Sequence, residues 1–582
     1  MESEPVSPIS EPDMATSIAM AMAPSSVPST PPPQPHRQPP SSPPLPTPTI
    51  LNSPPIDLSL YLVTSSSLLP PGRTLEATVE AAIKGGVTVV QLREKALDTR
   101  PFIDLARRIH AITKSYDVPL LINDRVDVAL AVGCEGVHIG WDDMDYETAR
   151  RLLGPTAIIG LSVSSLEQAS LAAATTCDYI GVGPVLPTPT KPDASSPLFP
   201  SGVRDILASI SNTRPLPAVA IGGISATNVQ SIVYKSRPHA ATPISGIAVV
   251  SAIIASDDPE SASSDLLTRS RNPPPWAHPP PSQTRIFTDF YLPLILSHAV
   301  TTIRTIKEHK PLVHHITNAV VKPISANVTL AVGGSPIMSD VIDEVASLAN
   351  ISPYSGCLIN MGTSTPADKA LYAAAISENN QAGKPVVFDP VGAGATGMRR
   401  DIVTWMLREA GYVDVIKGNE GEIRTVAGQG VQMKGVDSTE AGNLEEMVAV
   451  VQEVANRERN IVILTGPVDI LSDGTRTVLV RNGHPLQGLI TGAGCALGSV
   501  LCAALAVSRE DKLSSCLAGI LAYNIAAERA VAGSRSTITG DVKGTRRPGS
   551  FAAAFLDELY EVTEMCLRGE ETWTGAVNLE FR

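Results

Sequence analysis

The sequence lacks the basic stretches expected of a protein that binds polyanions. Lysine and arginine total 45 against 58 aspartates and glutamates, which gives a formal net charge of −13. Proteins that bind nucleic acid or anionic membranes concentrate basic residues in blocks or on one face. The charge balance therefore argues against both partners, and any phosphate chemistry must depend on local basic residues and on metal.

Long apolar runs, paired cysteines and targeting signals are also missing. The apolar run from Ala496 to Val507 is too short to span a bilayer. The seven cysteines show no paired metal-type spacing and are typical of reduced thiols in a cytosolic protein. The N-terminus opens acidic, as Met1-Glu2-Ser3-Glu4, without the basic region of a secretory signal or the arginines of a transit peptide. These absences favour the cytoplasm.

Composition divides the 582 residues into four parts. Residues 1–55 are rich in proline, serine and threonine, which predicts a disordered tail. Residues 257–284 are rich in serine, aspartate and proline, which predicts a semi-rigid linker. The parts between and after them, 56–256 and 285–582, are each long enough to hold a complete core and to fold alone.

The first large part alternates apolar strands with helical segments, the pattern of a parallel α/β domain. Eight such repeats in this length predict a TIM (β/α)8 barrel, whose active site lies at the carboxyl ends of the strands. The eight strand candidates are Leu58–Thr64, Thr88–Arg93, Leu120–Asn123, Gly136–Ile139, Ile158–Val163, Tyr179–Val182, Ala218–Ile221 and Gly246–Val250.

The domain is organised around two neighbouring strand candidates that end in carboxylates. Leu121–Arg125 and Val137–Asp143 are short apolar runs ending in polar residues, and a helical segment with a glycine stop, 126–133, lies between them. Asp124 and Asp143 should therefore reach the same rim, where paired carboxylates suit Mg²⁺. The alternative is that Asp124 caps the next helix and Asp143 lies in a polar loop.

Other strand ends carry the groups that phosphate chemistry needs. Arg93 and Lys95 follow the second strand, and a loop of hydroxyls and a lysine, 183–191, follows the sixth. Gly222-Gly223 and Val250-Ser251 end the seventh and eighth strands, where backbone amides cradle phosphate in this fold. Each feature alone could be a surface charge or a tight turn.

Six motifs in order, QLREK, LLINDRVDVALAVG, GVHIGWDD, GPVLPTPTK, AIGGI and VVSAI, resemble thiamine-phosphate synthase across 58–253. That family joins a pyrimidine methyl diphosphate to a thiazole phosphate and releases diphosphate. The resemblance implies Asp124 and Asp143 as Mg²⁺ ligands, with Arg93, Lys95 and Lys191 stabilising the departing diphosphate. Trp141 departs from the glutamine often found there, which puts a polar role at that position in doubt. The implied pyrimidine diphosphate contacts are Gln91, Leu92, Arg93, Glu94, Lys95, Asn123, Ser162 and Lys191. The implied thiazole phosphate contacts are Thr188, Pro189, Thr190, Gly223, Val250 and Ser251.

The second large part also has strand and turn segments of an α/β domain. They are Pro311–Asn318, Gly333–Met338, Pro385–Gly394, Val415–Glu422, Ile461–Gly466 and Thr491–Cys495. The last of them opens an apolar helix. A glycine-rich turn that feeds a helix aims free N–H groups and the positive end of the dipole at an anion.

These segments resemble hydroxyethylthiazole kinase, a ribokinase-like family, over 290–565. The resemblance implies ATP as co-substrate, Mg²⁺ held with the help of Glu422, and a homo-oligomer formed through this domain. Lys417 departs from the arginine often found there and loses its bidentate fork. The implied contacts are Met338 and Gly492 for the thiazole alcohol, and Lys417, Asn419, Thr465 and Gly494 for ATP.

Cys495 stands where most ribokinase-like enzymes carry a catalytic aspartate and the thiazole kinases carry cysteine. At a helix N-terminus its thiol pKa should be lowered, so that a thiolate could take the substrate's hydroxyl proton. The alternative is a small buried helix residue.

Together the two resemblances imply both activities on one chain, because the product of the kinase is a substrate of the synthase. Two rivals stay open. One is a barrel of changed chemistry, such as a thiazole tautomerase, against which Asp124, Asp143 and Lys191 argue. The other is a non-catalytic sensor of thiamine precursors that acts on partners through its proline-rich tail.

Overall fold

The computed structural model describes residues 56–188, 190, 196–211, 213–237, 243–277, 292–429, 433–434, 437–438, 443–533 and 547–582. The predicted tail, Pro189, Lys191 and the end of the predicted linker, 278–284, lie outside these ranges. In the described part of the chain, no helix has the length and apolarity needed to cross a membrane.

Eight parallel strands close into a barrel in sequence order, as predicted. Their residues are almost all buried, because the strands pack against side chains inside the barrel and helices outside it. Observed and predicted strands agree within two residues at every end. The strands are β1 Leu60–Val63, β2 Val89–Leu92, β3 Leu120–Asn123, β4 Gly136–Ile139, β5 Ile158–Val163, β6 Tyr179–Val182, β7 Ala218–Ile221 and β8 Gly246–Val249.

Helices follow the strands around the outside of the barrel. The helix predicted from 126 to 133 is present and ends at Gly133, which takes a left-handed conformation (φ 70°). The barrel helices are α1 Leu75–Lys84, α2 Thr99–Ser115, α3 Val126–Val132, α4 Tyr146–Leu153, α5 Leu166–Ala174, α6 Phe199–Ser211, α7 Val229–Lys235, α8 Ser251–Ile254 and α9 Pro259–Arg271.

Helix α9 lies inside the segment predicted to be a linker, so that prediction is wrong for 259–271. Asp258 caps the helix by accepting from Ser261 N–H, and Pro259 occupies its first turn. Leu266 is buried in the barrel core. The sequence of this segment is typical of a linker because it has few large apolar side chains. Those few are enough to pack one helix against the barrel.

The second domain is a nine-stranded sheet in the order β10-β9-β11-β12-β13-β16-β17-β18-β19. The first six strands in that order are parallel, and β17, β18 and β19 extend the sheet antiparallel. The strands are β9 Leu312–Ile316, β10 Ser335–Ile337, β11 Ser355–Asn360, β12 Val386–Asp389, β13 Val415–Gly418, β16 Ile461–Leu464, β17 Asp469–Ser472, β18 Thr477–Val480 and β19 Leu579–Phe581, with a separate pair β14 Met433–Lys434 and β15 Asp437–Ser438.

Two hydrophobic clusters fill the two faces of this sheet, separate from the barrel's own core. Helices α17 and α18 together contribute nearly half of one cluster, because most of their residues are apolar and buried. The helices are α10 Leu292–His309, α11 Lys322–Ala331, α12 Val345–Asn350, α13 Lys369–Gln381, α14 Gly397–Arg408, α15 Glu420–Ala427, α16 Leu444–Glu458, α17 Ala493–Val507, α18 Lys512–Ala532 and α19 Pro548–Leu567.

The two domains meet at a seam of aromatic and cationic side chains. Trp276, which follows α9 and is 5% exposed, stacks on Tyr412 of the second domain at 3.9 Å between ring centroids. Tyr234 of the barrel packs edge-on against both rings. Arg204 of the barrel donates to the carbonyl of Asn456 at 2.7 Å, at the end of α16. Cations suit the carbonyl end of a helix, so Arg204 of the barrel caps α16 of the second domain.

Candidate functional sites on the two domains

Asp124 is held at the barrel rim by its neighbours. It takes a left-handed conformation (φ 55°), and its N–H donates to the His138 carbonyl at 2.9 Å. Its Oδ2 accepts from Asn123 at 2.8 Å and pairs with Lys95. The residue that caps α3 is Arg125, without a side-chain cap bond, so Asp124 does not act as the helix cap. Asp124 thus turns a fixed carboxylate toward the strand ends.

Asp143 lies in the tight turn after β4. Its Oδ2 accepts from Gly140 N–H at 2.7 Å, which fixes the carboxylate against the strand end. Trp141 in the same turn is 42% exposed and donates its indole N–H to the Ser162 carbonyl at 2.7 Å. The side chain at this position therefore makes a polar contact, and that contact joins the ends of β4 and β5.

The three charged residues after β2, Arg93-Glu94-Lys95, have two different roles. Glu94 accepts from Thr64 at 2.9 Å and from Ser66 N–H, so it ties the ends of β1 and β2 together. Arg93 makes no ion pair with any described residue, and Lys95 is exposed apart from its pair with Asp124. The two cations remain available to an anionic ligand.

The loops after β6, β7 and β8 form the opposite side of the rim. Gly223 has a positive φ of 69°, and a Cβ there would lie 2.7 Å from the Leu186 Cβ, so only glycine fits. Asn228 donates to the Gly223 carbonyl at 2.9 Å and fixes this turn. Thr188 accepts from Thr190 N–H at 3.3 Å, and Ser251 begins the short helix α8.

The carboxylates of Asp124 and Asp143 are ligands of the type that a divalent cation shared with substrate takes. Among the described residues, no three His, Cys, Asp or Glu side chains form a ready-made metal cage. Mg²⁺ is usually bound by one or two carboxylates, with water and substrate phosphate completing its shell. The Oδ1 atoms of Asp124 and Asp143 accept no hydrogen bond within the described residues, which leaves an acceptor on each.

The second domain places its charged groups in the interior. Asp389 ends β12, and its Oδ1 lies 3.2 Å from Lys417 Nζ; both side chains are buried. Asn360 donates to Asp389 Oδ2 at 2.9 Å, and Asn318 donates to Asn360 at 3.0 Å. Asp389 Oδ1 is buried and makes no hydrogen bond of ordinary geometry, so the Lys417 ammonium beside it is the charge that offsets its burial. A carboxylate is the type of ligand that Mg²⁺ takes, and a Mg²⁺ ion here would share Asp389 with Lys417.

Asp389 is not among the site residues predicted from the sequence, although the predicted segment Pro385–Gly394 contains it. The signal that could have found it is the one used for Asp124: a carboxylate that ends a buried parallel strand. Lys417, the partner of Asp389, is in β13 and donates to the Gly494 carbonyl at 2.9 Å. Lys417 therefore also holds the glycine turn that opens α17. Although burial opposes the charged form, the negative charge of Asp389 raises the pKa of Lys417 and keeps it an ammonium.

The expected lowering of the Cys495 pKa is wrong. Burial, and then the negative charge of Asp389, raise the pKa of this thiol to about 12. The helix N-terminus and Lys417 favour the thiolate, but desolvation beside a carboxylate outweighs both. Cys495 is therefore a neutral thiol at physiological pH.

Glu422 and Asn419 form a reciprocal cap on α15. Asn419 accepts from Glu422 N–H at 3.0 Å, and Glu422 Oε2 accepts from Asn419 N–H at 2.8 Å. Its other oxygen accepts from Gly392 N–H at 2.8 Å. Burial, followed by the nearby charge of Asp389, raises the pKa of Glu422 to about 7. Glu422 thus ties the turn after β12 to the start of α15.

The glycine turn that opens α17 is shaped by contacts on both sides. Gly492 has a φ of 84°, and a Cβ there would lie 2.8 Å from Val321. Tyr523 donates to the Ala493 carbonyl at 2.7 Å and fixes the first turn of the helix. Met338 directly follows β10, and Thr465 N–H donates to the Gly418 carbonyl at 2.9 Å at the end of β13.

Comparison with known proteins finds two family models. Residues 60–253 match the model described as thiamine monophosphate synthase, and residues 303–565 match the hydroxyethylthiazole kinase family. The "Probable thiamine biosynthetic bifunctional enzyme" of Schizosaccharomyces pombe is 42% identical over 90% of this chain and 99% of its own length. The "Thiamine biosynthetic bifunctional enzyme" of Saccharomyces cerevisiae is 35% identical over 87% of this chain and 96% of its own. A solved hydroxyethylthiazole kinase from Pyrococcus horikoshii is 32% identical over 49% of this chain and 99% of its own, with a TM-score of 0.41.

Proposed function

The chain belongs to the family of bifunctional thiamine biosynthetic enzymes, and from this premise we propose which residues carry each of its two reactions. The kinase part, 285–582, phosphorylates 5-(2-hydroxyethyl)-4-methylthiazole with ATP. The barrel part, 56–256, joins the resulting thiazole phosphate to 4-amino-2-methyl-5-(diphosphomethyl)pyrimidine, giving thiamine phosphate and diphosphate.

In the kinase part, the observation that carries the proposal is the buried Asp389–Lys417 pair beside the glycine turn of α17. Lys417 places a permanent positive charge at this turn, and the N–H groups of Gly492 to Gly494 face the position of the moving phosphoryl group. Met338 and Gly492 bind the thiazole alcohol, while Asn419, Thr465 and Gly494 bind ATP. Asp389, with Glu422, would hold a Mg²⁺ ion that neutralises ATP phosphate charge.

The reactive hydroxyl of the thiazole alcohol approaches Cys495 at the start of α17. Because the thiol is neutral, we assign Cys495 to binding and orienting this hydroxyl, and the buried Asp389 carboxylate is the acceptor nearby for the proton. Positioning and charge stabilisation supply most of the catalysis in phosphoryl transfer, so a weak base is sufficient.

In the barrel, Gln91, Leu92, Asn123 and Ser162 orient the pyrimidine, and Thr188, Pro189, Thr190, Gly223, Val250 and Ser251 bind the thiazole phosphate. Arg93, Lys95 and Lys191 stabilise the departing diphosphate as its charge develops. Asp124 and Asp143 would hold Mg²⁺, which supplies further positive charge for that leaving group. The thiazole nitrogen attacks the pyrimidine methylene, and the main task of the barrel is positioning.

We propose that the enzyme acts in the cytoplasm as a homo-oligomer assembled through the kinase part. Support for assembly comes from exposed apolar side chains around the glycine turn of α17, where Val320 and Leu489 are each 65% exposed. Light scattering of the full-length chain tests this, and a monomer at all concentrations would contradict it.

Incubation of the purified chain with thiazole alcohol, ATP, Mg²⁺ and pyrimidine diphosphate tests the two reactions together. We expect thiamine phosphate only when all four are present, and thiazole phosphate when the pyrimidine is left out. Diphosphate release without thiazole, or ATP use without product, would contradict the assignment. Replacing thiazole alcohol by thiazole phosphate should remove the need for ATP.

A further inference from the structure

A chain of hydrogen bonds crosses the interior of the barrel from β2 to β5. Gln91 Nε2 donates to the Tyr61 hydroxyl at 2.7 Å, and the Tyr61 and Tyr179 hydroxyls lie 2.7 Å apart. The Tyr179 hydroxyl lies 2.9 Å from His138 Nδ1, and His138 Nε2 lies 3.0 Å from Ser162 Oγ. The two ends of this chain, Gln91 and Ser162, are both assigned above to the pyrimidine site.

Glycines on the neighbouring strands make room for this chain of hydrogen bonds. His138, Gly160 and Tyr179 are aligned across β4, β5 and β6, and a Cβ on Gly160 would lie 2.1 Å from the Tyr179 ring. A Cβ on Gly181 would lie 3.0 Å from the His138 ring. Tyr61 and Tyr179 are almost completely buried, so an interrupted chain would leave hydroxyls unsatisfied in an apolar interior.

The order of donors and acceptors along the chain is fixed from its Gln91 end. The NH2 group of Gln91 can only donate, and each tyrosine hydroxyl carries one hydrogen. Within the described residues each tyrosine hydroxyl contacts only its two neighbours in the chain. The arrangement that leaves no buried hydroxyl hydrogen without an acceptor is therefore the one in which Tyr61 donates to Tyr179 and Tyr179 donates to His138 Nδ1. That nitrogen is then the acceptor, so the proton of the neutral imidazole is on Nε2 and points at Ser162.

We propose that His138 is a positioning residue that sets the hydrogen-bonding direction of Ser162. The imidazole donates from Nε2 to Ser162 Oγ, which directs the serine hydrogen toward the barrel mouth as a donor. The Trp141 indole fixes the same residue through its carbonyl, so Ser162 is held at both ends. A fixed donor selects a substrate with a hydrogen-bond acceptor at that point, such as the aminopyrimidine part of the diphosphate substrate. The choice of substrate rests on the function proposed above, whereas the direction of the chain rests on geometry alone.

Nitrogen-15 NMR of the full-length chain, labelled at histidine, tests the direction. We expect the His138 signals, assigned by their loss in His138→Gln, to show the Nε2–H tautomer. His315 supplies an internal reference of the opposite kind, because its Nδ1 donates to the Val313 carbonyl at 2.9 Å. An Nδ1–H tautomer at His138, or a doubly protonated ring, would overturn the inference.

Kinetics test the consequence for substrate, and Tyr179→Phe is the gentlest probe because it removes one hydroxyl. It should raise the KM for the pyrimidine diphosphate about three- to tenfold, the loss expected for one hydrogen bond, with a smaller change in kcat. His138→Leu should do the same more strongly, while His138→Gln, which keeps a donor in that direction, should recover part of the loss.

Tyr146→Phe is the matched control, because its hydroxyl bonds Thr176 on the outer layer of the barrel and takes no part in the chain. We expect it to leave KM unchanged. A Tyr179→Phe enzyme with unchanged KM and an unchanged His138 tautomer would refute the inference. If the barrel made no thiamine phosphate at all, the proposed function would fail instead, and the tautomer result would still stand or fall by itself.

Discussion

The two halves of the chain place the charged side chains of their proposed phosphate sites in opposite surroundings. On the barrel, Lys95 is 57% exposed at its side chain and Asp124 is partly exposed, so water screens their attraction. In the kinase part, Asp389 and Lys417 are buried to 0% and 3% exposure, with Cys495 and Glu422 against them. The same kinds of residue are therefore in contact with solvent in one half, whereas in the other burial raises the pKa of Asp389 and the charge of Asp389 raises the pKa of Lys417.

The difference reflects what each reaction must prevent. A kinase has to keep water from taking the phosphoryl group, so a dry, preorganised site is an advantage. The barrel lets a leaving group depart and mainly positions two substrates, so its cations can stay in contact with solvent. Substitutions of buried and of exposed charged residues should therefore distinguish the two halves.

The largest effect should come from removing one carboxylate from each half. Asp389→Asn should lower kinase turnover by about 10³-fold or more while condensation stays near wild type, because charge stabilisation in a dry site is a large term. Asp124→Asn should do the reverse. Separate assays of ATP consumption and diphosphate release measure both.

Asp104→Asn, on the exposed face of α2, is the control for both assays. An Asp389→Asn enzyme that also lost condensation would show that the two sites are not independent.

A second test uses acid to separate the halves. Burial lowers the pKa of His315 to about 4, below the ordinary value of 6.5, so the unfolded chain takes up a proton that the folded chain refuses. The stability present above pH 6.5 is therefore lost as pH falls toward 4, on the order of 3 kcal/mol from this group. His315→Gln should flatten the decline of the kinase transition measured by calorimetry across this range.

His110→Gln, on the barrel helix α2, is the matched control. It should leave the acid limb of the kinase transition as in wild type. A His315→Gln curve parallel to wild type from pH 7 to 4 would contradict the buried neutral imidazole.

The third test breaks the seam that joins the halves. Trp276→Ala removes the stack on Tyr412 and should weaken the attachment of the domains by about 2 kcal/mol, within the range for a buried aromatic contact. Because each domain has its own core, both should remain folded, and the thermal transitions of the two domains should move to lower temperature. A variant whose transitions both stay at the wild-type temperatures would show that the stack contributes nothing.

The smallest effect concerns Cys495. A neutral thiol that orients the hydroxyl but does not deprotonate it should contribute roughly tenfold to kcat, below the range of about 10²- to 10⁴-fold for a positioned acid–base group. Cys495→Ala should show that loss. The kcat profile of the wild type should contain no inflection from this thiol between pH 6 and 10, since its pKa is about 12. A thousandfold loss, or an inflection that disappears in the variant, would restore the thiolate hypothesis.

The sequence predicts the regular parts of this molecule well and the context-dependent parts poorly. The barrel strands were found because buried parallel strands read as apolar runs ended by polar residues. Helix α9 was missed because one packed stripe inside a polar segment gives little periodicity, and β17 to β19 because their pairing is set by the rest of the sheet. The predicted direction of the Cys495 pKa shift is wrong, because the sequence shows that the residue begins a helix but does not show how deeply it is buried or that Asp389 is its neighbour.

The seam at Trp276 has a consequence for inheritance. Tyr234, Trp276 and Tyr412 come from the barrel, the segment after it and the kinase part, so a change in any one alters the fit of the other two. Exchange of one half for a relative's monofunctional enzyme would leave an aromatic side chain facing a mismatched surface. The three aromatic side chains therefore favour inheritance of the two domains together, in addition to the peptide bond that joins them. In chimaeras that combine domains from different proteins, we expect the first compensating substitutions at these three positions.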